Sequence, residues 1–471
     1  MELQSNASRV HASSSRPRIS IDVPVARTVS NSRQADLTVG FLIVGGGIAG
    51  LATAYALAAA GHRVHVLERS SGLHQPAGGI RIPPNCTKVL AQWGLLEELA
   101  RRGSPCPVSK LLDLHTGESL GVTDWHRDLV KEMGEAYYMV HHQDLHEILF
   151  DLAVSAGVRV SFSTTVEAVT PPRDAVQSSV DATTLSTIIP STSRPSVTLA
   201  SGETLHADVV IGADGPYSMV RRVVAERMEE RRSGLCVYSG TLSTSEMRAD
   251  PRLQSLLEEG WPMFLGNQRS IIGYPIRNDQ EFAIHIWWDE DDPNTSDTWT
   301  PTVHVSSLPG YSSADIDPRA RIMLDKVGLL SRMSFVDRDR PESWIDRSER
   351  VALIGEAAHP IMPCNHHSAA ISIEDAAVFG TLFSHLHSHA QISTLLYGFQ
   401  DLRQPRATAL NLIELHNASV ALSGKRPLHH TMEDQWAEVA EVWGYDANDA
   451  AEEWWMQWGV LRERAEATSA Q

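Results

Sequence analysis

The chain has 471 residues, 42% hydrophobic and 21% charged, with 58 acidic against 40 basic residues and a formal net charge of −18. That length holds two or three packed units, and the composition is that of a soluble globular protein. The acidic excess argues against nucleic acid and anionic membranes as partners. No apolar run is long enough to span a bilayer, so stable membrane insertion is not expected.

The first 36 or so residues are rich in Ser and Arg and lack a hydrophobic stretch. They read as a disordered tail, with only a faint compositional likeness to an organelle transit segment. Order begins with "LTVGFLIVGGGIAGLATAYALAAAG". A buried strand from about Thr38 to Val44 leads through a Gly-rich turn into a helix with Leu51, Ala54, Tyr55 and Ala58 at helical spacing, ended by Gly61. "RVHVLE" is a second strand, and the β-turn-α-β unit implies a parallel, doubly wound sheet. "SKLLDLHTGESLGV" reads as a hairpin turning at His115 to Glu118. "QDLHEILFDLAVSAG" is an amphipathic helix with Leu145, Ile148, Leu149 and Leu152 on one face. "RVSFSTTVEAVT" reads as one strand, residues 171–195 as a polar insertion, and "SVTLASGETLHADVVIGADG" as a hairpin followed by a buried strand. From about 234 to 345 alternating strands such as "SIIGYPI" and "EFAIHIWW" suggest a mixed or antiparallel second sheet. A helical segment rich in Trp and acids ends the chain.

Cys86, Cys106, Cys236 and Cys364 are far apart with no CxxC spacing. No disulfide framework and no metal site are expected, and reduced thiols in a cytoplasmic setting are the default.

Gly45, Gly47 and Gly50 form G-x-G-x-x-G between a strand and a helix. The first permits a tight turn, the second lets backbone approach a pyrophosphate, and the third allows close helix–strand packing. A diphosphate there meets free N–H groups and the positive end of the helix dipole. Glu68 ends the second strand, placed to accept hydrogen bonds from an adenosine ribose. This pattern does not separate NAD from FAD. Two further strand-end acids, Asp214 in "VVIGADGPYSMVR" and Glu356 in "VALIGEAAHPIMP", suit a long cofactor lying across the sheet.

With these residues the chain resembles the single-component FAD-dependent aromatic hydroxylases, which include salicylate and para-hydroxybenzoate hydroxylases, and related monooxygenases of fungal secondary metabolism. The resemblance spans about residues 38 to 420. It rests on the Gly45 motif with Glu68, "GGIRIPPN", "HHQDLHEIL", "GADGPYSMVR", and "GEAAHPIMP" followed by "SIEDAA". It implies an α/β fold: a Rossmann-like three-layer FAD-binding domain interleaved with a mixed β-sheet substrate domain, plus C-terminal helices. The corresponding division begins with a tail at 1–37 and a first stretch of the FAD-binding domain at 38–233, which carries a substrate-sheet hairpin at about 108–135. A substrate domain follows at 234–345, then the returning stretch of the FAD-binding domain at 346–425 and a helical segment at 426–471.

The resemblance also implies FAD as cofactor, NADPH or NADH as transient reductant, O2 and a small aromatic molecule as substrates, and oxygen transfer from a flavin C4a-hydroperoxide. Carried over by position, the FAD-binding residues are Gly45, Gly47, Gly50, Glu68, Gly79, Arg81, His142, Asp214, Glu356, Ser368 and Ala369. Tyr274 and His367 are pocket candidates, and no catalytic base is assigned. Arg81 could reach the flavin or the substrate mouth. Either Trp287 or Trp288, not both, could wall a pocket. His359 reads as structural.

Four positions depart from the family pattern. Glu356 stands where Asp is usual. His367, Ser368 and Ala369 replace Gln-Gly-Ala before a helix that Ser368 could cap, with His366 and His367 expected to be partly exposed. His142 replaces an arginine. Ser239 replaces the arginine of a Tyr-Arg-Gly stretch, which weakens the case for a simple phenol as substrate. These changes keep two alternatives open: a flavin reductase or oxidase without oxygen insertion, and a non-catalytic relative with a degenerate flavin site. The sequence carries no signal for an oligomeric state.

Overall fold

The most apolar strands of the chain, Gly40–Val44, Val209–Gly212 and Val351–Leu353, are buried on both faces. Such strands belong in the middle of a parallel sheet covered on both sides. In the computed structural model they form a five-stranded parallel sheet in the order 351–353, 209–212, 40–44, 63–67, 159–161. The structure describes residues 33–73, 78–105, 108–124, 133, 136–172, 194–225, 228–258, 260–266, 268–290, 296, 299–423, 440–459 and 461. The expected insertion at 171–195 and the far half of the 108–135 segment lie largely outside them.

Two helices on one side of this sheet fix its geometry. Ile48–Ala59 follows the Gly-rich turn, and Ser368–Phe383 packs beside it. Ser368–Phe383 is buried nearly all round, as an apolar helix without a polar face must be. The two approach closely because Gly380 has no side chain: a Cβ there would lie 2.6 Å from that of Ala56. The helix Gln391–Ser423 runs 33 residues, with Pro405 inside it.

The second sheet has eight strands in the order 300–304, 329–338, 230–243, 281–289, 269–276, 261–266, 108–113, 119–124. All neighbours are antiparallel except 261–266 against 108–113. The early hairpin therefore lies at one edge of this sheet. Its turn is set by Asp113, whose carboxylate accepts from the His115 and Thr116 N–H groups. One face, with Tyr238, Phe282, Ile284, Ile286 and Trp288, packs with Met323 and Leu324 of helix Pro318–Val327 in a second core. The other face turns toward the first domain.

Two expectations are corrected. "RVSFSTTVEAVT" is two strands, Arg159–Ser161 in the parallel sheet and Val166–Thr170 in a separate three-stranded antiparallel sheet. The break lies at Ser163, with φ 52°, whose N–H bonds Ser70 O while Thr164 N–H bonds Glu68 O. Residues 33–37, grouped with the tail, join the body of the protein through Ala35 N–H to Ala60 O and Leu37 N–H to Leu386 O. Among the described residues, no helix is long and apolar enough to cross a membrane.

At the centre of the first domain lies a buried ionic cluster. Arg403 is 0% exposed and donates through Nη2 to Glu374 at 2.7 Å and through Nε to Asp375 at 2.8 Å. Arg406 and Asn85 complete the bonding of Glu374. Burial alone would raise both acids, but Arg403, Arg406 and His359 hold their pKa values below the usual carboxylate range. Removing one member of such a cluster leaves a buried charge uncompensated. Arg403→Ala is expected to cost about 3–5 kcal/mol of unfolding free energy in chemical denaturation. A loss under about 1 kcal/mol would show that the cluster is not integral to the fold.

Candidate active site

The glycine turn is built from three different constraints. Gly45 has φ +106°, and a Cβ there would sit 2.4 Å from Ala213 O. A Cβ on Gly50 would lie 2.0 Å from Gly45 O. A Cβ on Gly47 would meet nothing within 4 Å, because Gly47 borders open space. Helix Ile48–Ala59 begins there without a side-chain cap, leaving its first N–H groups free. Glu68 holds the loop: Oε2 accepts from Gly46 N–H and Oε1 from Ser70 N–H, both at 2.7 Å. Burial opposes ionisation of Glu68, but these bonds lower its pKa overall. His146 Nε2 lies 2.6 Å from Gly46 O and supports the turn from behind.

A cleft of about 990 Å³ starts at this turn and ends at the first residues of helix Ser368–Phe383. Among the candidate residues, Gly47, Gly79, His142, Tyr274, Glu356, Ser368 and Ala369 line it. Gly45, Gly50 and Glu68 stand behind its wall. Asp214 is turned into its own loop, accepting from Ser218 Oγ, Met219 N–H and Val220 N–H. That loop presents Ala213 and Gly215 to the cleft instead.

Glu356 lies in a short turn, Gly355–Ala357, just past strand Val351–Leu353. Its backbone carbonyl accepts from Arg221 Nη2 at 2.5 Å, and its carboxylate has no hydrogen-bond partner among the described residues. Burial raises its pKa against the opposing pull of His359, Arg221 and Arg338. A half-buried carboxylate with free acceptors is suited to polyol hydroxyls.

The loop before the helix departs from expectation. His367, not Ser368, occupies the N-cap position, and no side chain caps the helix. Ser368 is the first helical residue and accepts through its carbonyl from Ser372 Oγ. The first-turn N–H groups are therefore directed out of the helix end, where Ser368 and Ala369 line the cleft. His367 is 4% exposed, not a surface residue, because its Nδ1 lies 2.5 Å from the buried Glu414 carboxylate. It lines neither the cleft nor its neighbour, whereas His366 faces the neighbouring cavity. His359 pairs with Asp375 at 2.5 Å.

That neighbouring cavity, of about 440 Å³, is lined by Met263, Ile272, Trp287, Met362, Ala418 and Leu422, with Arg81, Asn365, His366 and Glu414 at its polar end. Cys364 and Asn365 are common to both cavities. Strand alternation explains the wall: Trp287 faces this cavity while Trp288 enters the second core. Arg81, grouped by sequence with the cofactor residues, lines this second cavity rather than the cleft. On strand Gly79–Ile82 of the small sheet with Tyr138–His141 and Ser104–Pro105, Gly79 and Arg81 share one face, and the long Arg81 side chain extends to the second cavity while Gly79 borders the cleft.

Sequence reasoning missed His285. It lies 2.6 Å from Tyr274 Oη and 3.1 Å from Gly79 O through the same Nε2, and its Nδ1 has no partner among the described residues. Its place two residues before Trp287 on one strand was the available signal. Burial and Arg81 lower His285 to about 3, and burial with His146 and His141 lowers His142 to about 4. Burial with Arg81 likewise lowers His366 to about 3. All three are neutral near pH 7, so the position expected to have lost a permanent charge carries none.

These residues fit FAD: a glycine-only turn held by Glu68, an open cleft, Glu356 without a hydrogen-bond partner among the described residues, and an uncapped helix end. Glu356→Ala is expected to weaken FAD binding about 10-fold or more, read by flavin fluorescence titration. Unchanged affinity would remove Glu356 from the site. Ser368→Gly should bind FAD equally or more tightly, and a large loss would assign the hydroxyl an essential contact. The depressed histidines make a further prediction. Between about pH 6.5 and 4 the unfolded chain binds protons the folded chain excludes, so stability falls as pH drops. The melting temperature should decline from pH 7 to 5, with a shallower slope in His285→Gln. An unaltered slope would show that His285 titrates normally.

Comparison with known proteins agrees with this geometry. A family model described as an FAD binding domain matches residues 38–411. The FAD-dependent monooxygenase cfoG of Aspergillus candidus is 28% identical, over 84% of this chain and 88% of its own. The 3-amino-4-hydroxybenzoate 2-monooxygenase PtmB3 of Streptomyces platensis is 30% identical, over 77% of this chain and 84% of its own. The solved structure of CtdE with FAD and a substrate superposes with a TM-score of 0.74 at 18% identity, covering 90% of this chain and 100% of that one, a likeness of fold. The chain belongs to the FAD-binding family of flavin-dependent monooxygenases, in its single-component aromatic hydroxylase branch.

Proposed function

We propose that this enzyme uses NADPH or NADH and O2 to hydroxylate or epoxidise an electron-rich aromatic or polycyclic small molecule in secondary metabolism. The observation that carries the proposal is the meeting of the cleft at the glycine turn with a mostly apolar cavity at Cys364 and Asn365. Bound FAD would take a hydride equivalent from the nicotinamide and, with O2, supply one oxygen atom to the substrate while the other leaves as water.

The chain's own residues would do the rest. Gly47 and the first turn of Ile48–Ala59 would hold the diphosphate, Glu68 the adenosine ribose, and Glu356 the ribityl hydroxyls. The N-terminus of Ser368–Phe383 would face the flavin pyrimidine edge, where its dipole favours negative charge. Met263, Ile272, Trp287 and Met362 would sandwich a flat ring and exclude water, which favours oxygen transfer over loss of peroxide. Tyr274, held by His285, lines the cleft and would present its hydroxyl there. The aromatic nature of the substrate also draws on the activity of the Streptomyces relative, which acts on 3-amino-4-hydroxybenzoate.

The test is NAD(P)H oxidation by the FAD-loaded protein with an aromatic panel under isotopically labelled O2. The expected result is substrate-stimulated oxidation with one labelled oxygen atom in the product. Stimulated oxidation yielding only hydrogen peroxide would identify a flavin oxidase or reductase of the same fold instead.

A further inference from the structure

The peptide between Gly46 and Gly47 joins two residues without side chains, so local sterics do not fix which way it faces. Turned one way, it would aim a carbonyl oxygen at an anion in the cleft. Turned the other way, it presents a donor. Two side chains settle the choice. Glu68 Oε2 accepts from Gly46 N–H at 2.7 Å, which fixes the preceding peptide. His146 Nε2 lies 2.6 Å from Gly46 O, which fixes this one. A trans peptide holds its C=O and N–H on opposite sides. With the Gly46 carbonyl turned to His146, the Gly47 N–H points the other way, and Gly47 borders the cleft while His146 does not. That N–H meets no acceptor among the described residues.

His146 is a costly residue in its place. It is 3% exposed on helix His142–Ser155, beside the wholly buried Leu145 and Leu149. Among the described residues its one hydrogen bond is to Gly46 O, and its Nδ1 has no partner. A carbonyl oxygen only accepts, so Nε2 carries the proton and Nδ1 is bare. Burial lowers the pKa of the ring against the opposing pull of the Gly46 carbonyl, Glu68 and Glu147, and the ring is neutral near pH 7. Leucine would serve packing as well, without the cost of burying a ring nitrogen that finds no partner.

We infer that His146 is a positioning residue for the cofactor diphosphate: it locks the Gly46–Gly47 peptide so that the Gly47 N–H faces the phosphate oxygens. The glycines supply room and the helix end supplies donors. His146, 100 residues further along the chain, supplies the orientation. A peptide fixed in advance spares the cofactor the entropy of ordering it. The inference rests on FAD binding alone and is independent of the substrate and reaction proposed above.

The test compares FAD with riboflavin, which lacks the diphosphate, each titrated into the full chain freed of flavin and read by flavin fluorescence. Wild type should bind FAD much more tightly than riboflavin. His146→Leu keeps the bulk and cannot donate, so it should weaken FAD about 10-fold or more and leave riboflavin nearly unchanged. His146→Gln can still donate to the Gly46 carbonyl and should recover most of the FAD affinity. Undiminished FAD affinity in His146→Leu, an equal loss for both flavins, or a wild type that binds FAD no better than riboflavin would overturn the inference. A second measurement needs no variant. Nitrogen-15 NMR of the wild-type protein should show the His146 ring as the Nε2–H tautomer, and the Nδ1–H tautomer would overturn the inference even if His146→Leu does not fold.

Discussion

The Asp375 carboxylate organises this molecule. Buried inside helix Ser368–Phe383, it accepts from Gly355 N–H at 3.1 Å, pairs with His359 at 2.5 Å and receives Arg403 Nε at 2.8 Å. Those bonds join the end of strand Val351–Leu353, the turn that follows it and the long helix Gln391–Ser423. An ion buried this deeply is stable only when each of its partners is in place. The segment 355–368 is thus fixed at one end by Asp375 and at the other by Glu414, which holds His366 and His367. Between these anchors the chain forms the partition between the two cavities.

That partition is held in an unusual backbone state. Cys364 has φ 55°, a left-handed conformation that costs a residue with a side chain about 1–2 kcal/mol. Its carbonyl is held by Arg81, so a strained loop and a buried cation are coupled at the boundary of cleft and pocket. Strain and buried charge gathered at one place are features that stability alone does not favour. On the cleft side the same pattern appears in Glu356, kept near its neighbours' positive charge but without a hydrogen-bond partner among the described residues.

The parallel sheet and the Gly45 turn were legible because their signals are local: apolar strands, glycines at fixed spacing and an acid at a strand end. The 115–118 hairpin was legible for the same reason. The break at Ser163 was not, because it is imposed by backbone bonds to Ser70 and Glu68, remote along the chain. The burial of His367 depended on Glu414, 47 residues away, and no periodicity links the two. Arg81 was recognised as a residue of interest, but its direction was set by the pairing of Gly79–Ile82 with Tyr138–His141, a register that neither segment reveals alone. His146 and His285 needed the fold itself, since each meets a backbone carbonyl that only the fold brings to it. Asp214 shows the converse: its motif was evident, while its carboxylate serves its own loop.

The most direct measurement is the visible absorbance spectrum of the purified protein before and after incubation with FAD, with denaturation to identify the released cofactor. The account predicts a bound-flavin spectrum and release of FAD. A colourless protein that cannot take up FAD would contradict it, and would mean that Glu356 and the altered 364–369 loop have closed the site to the cofactor.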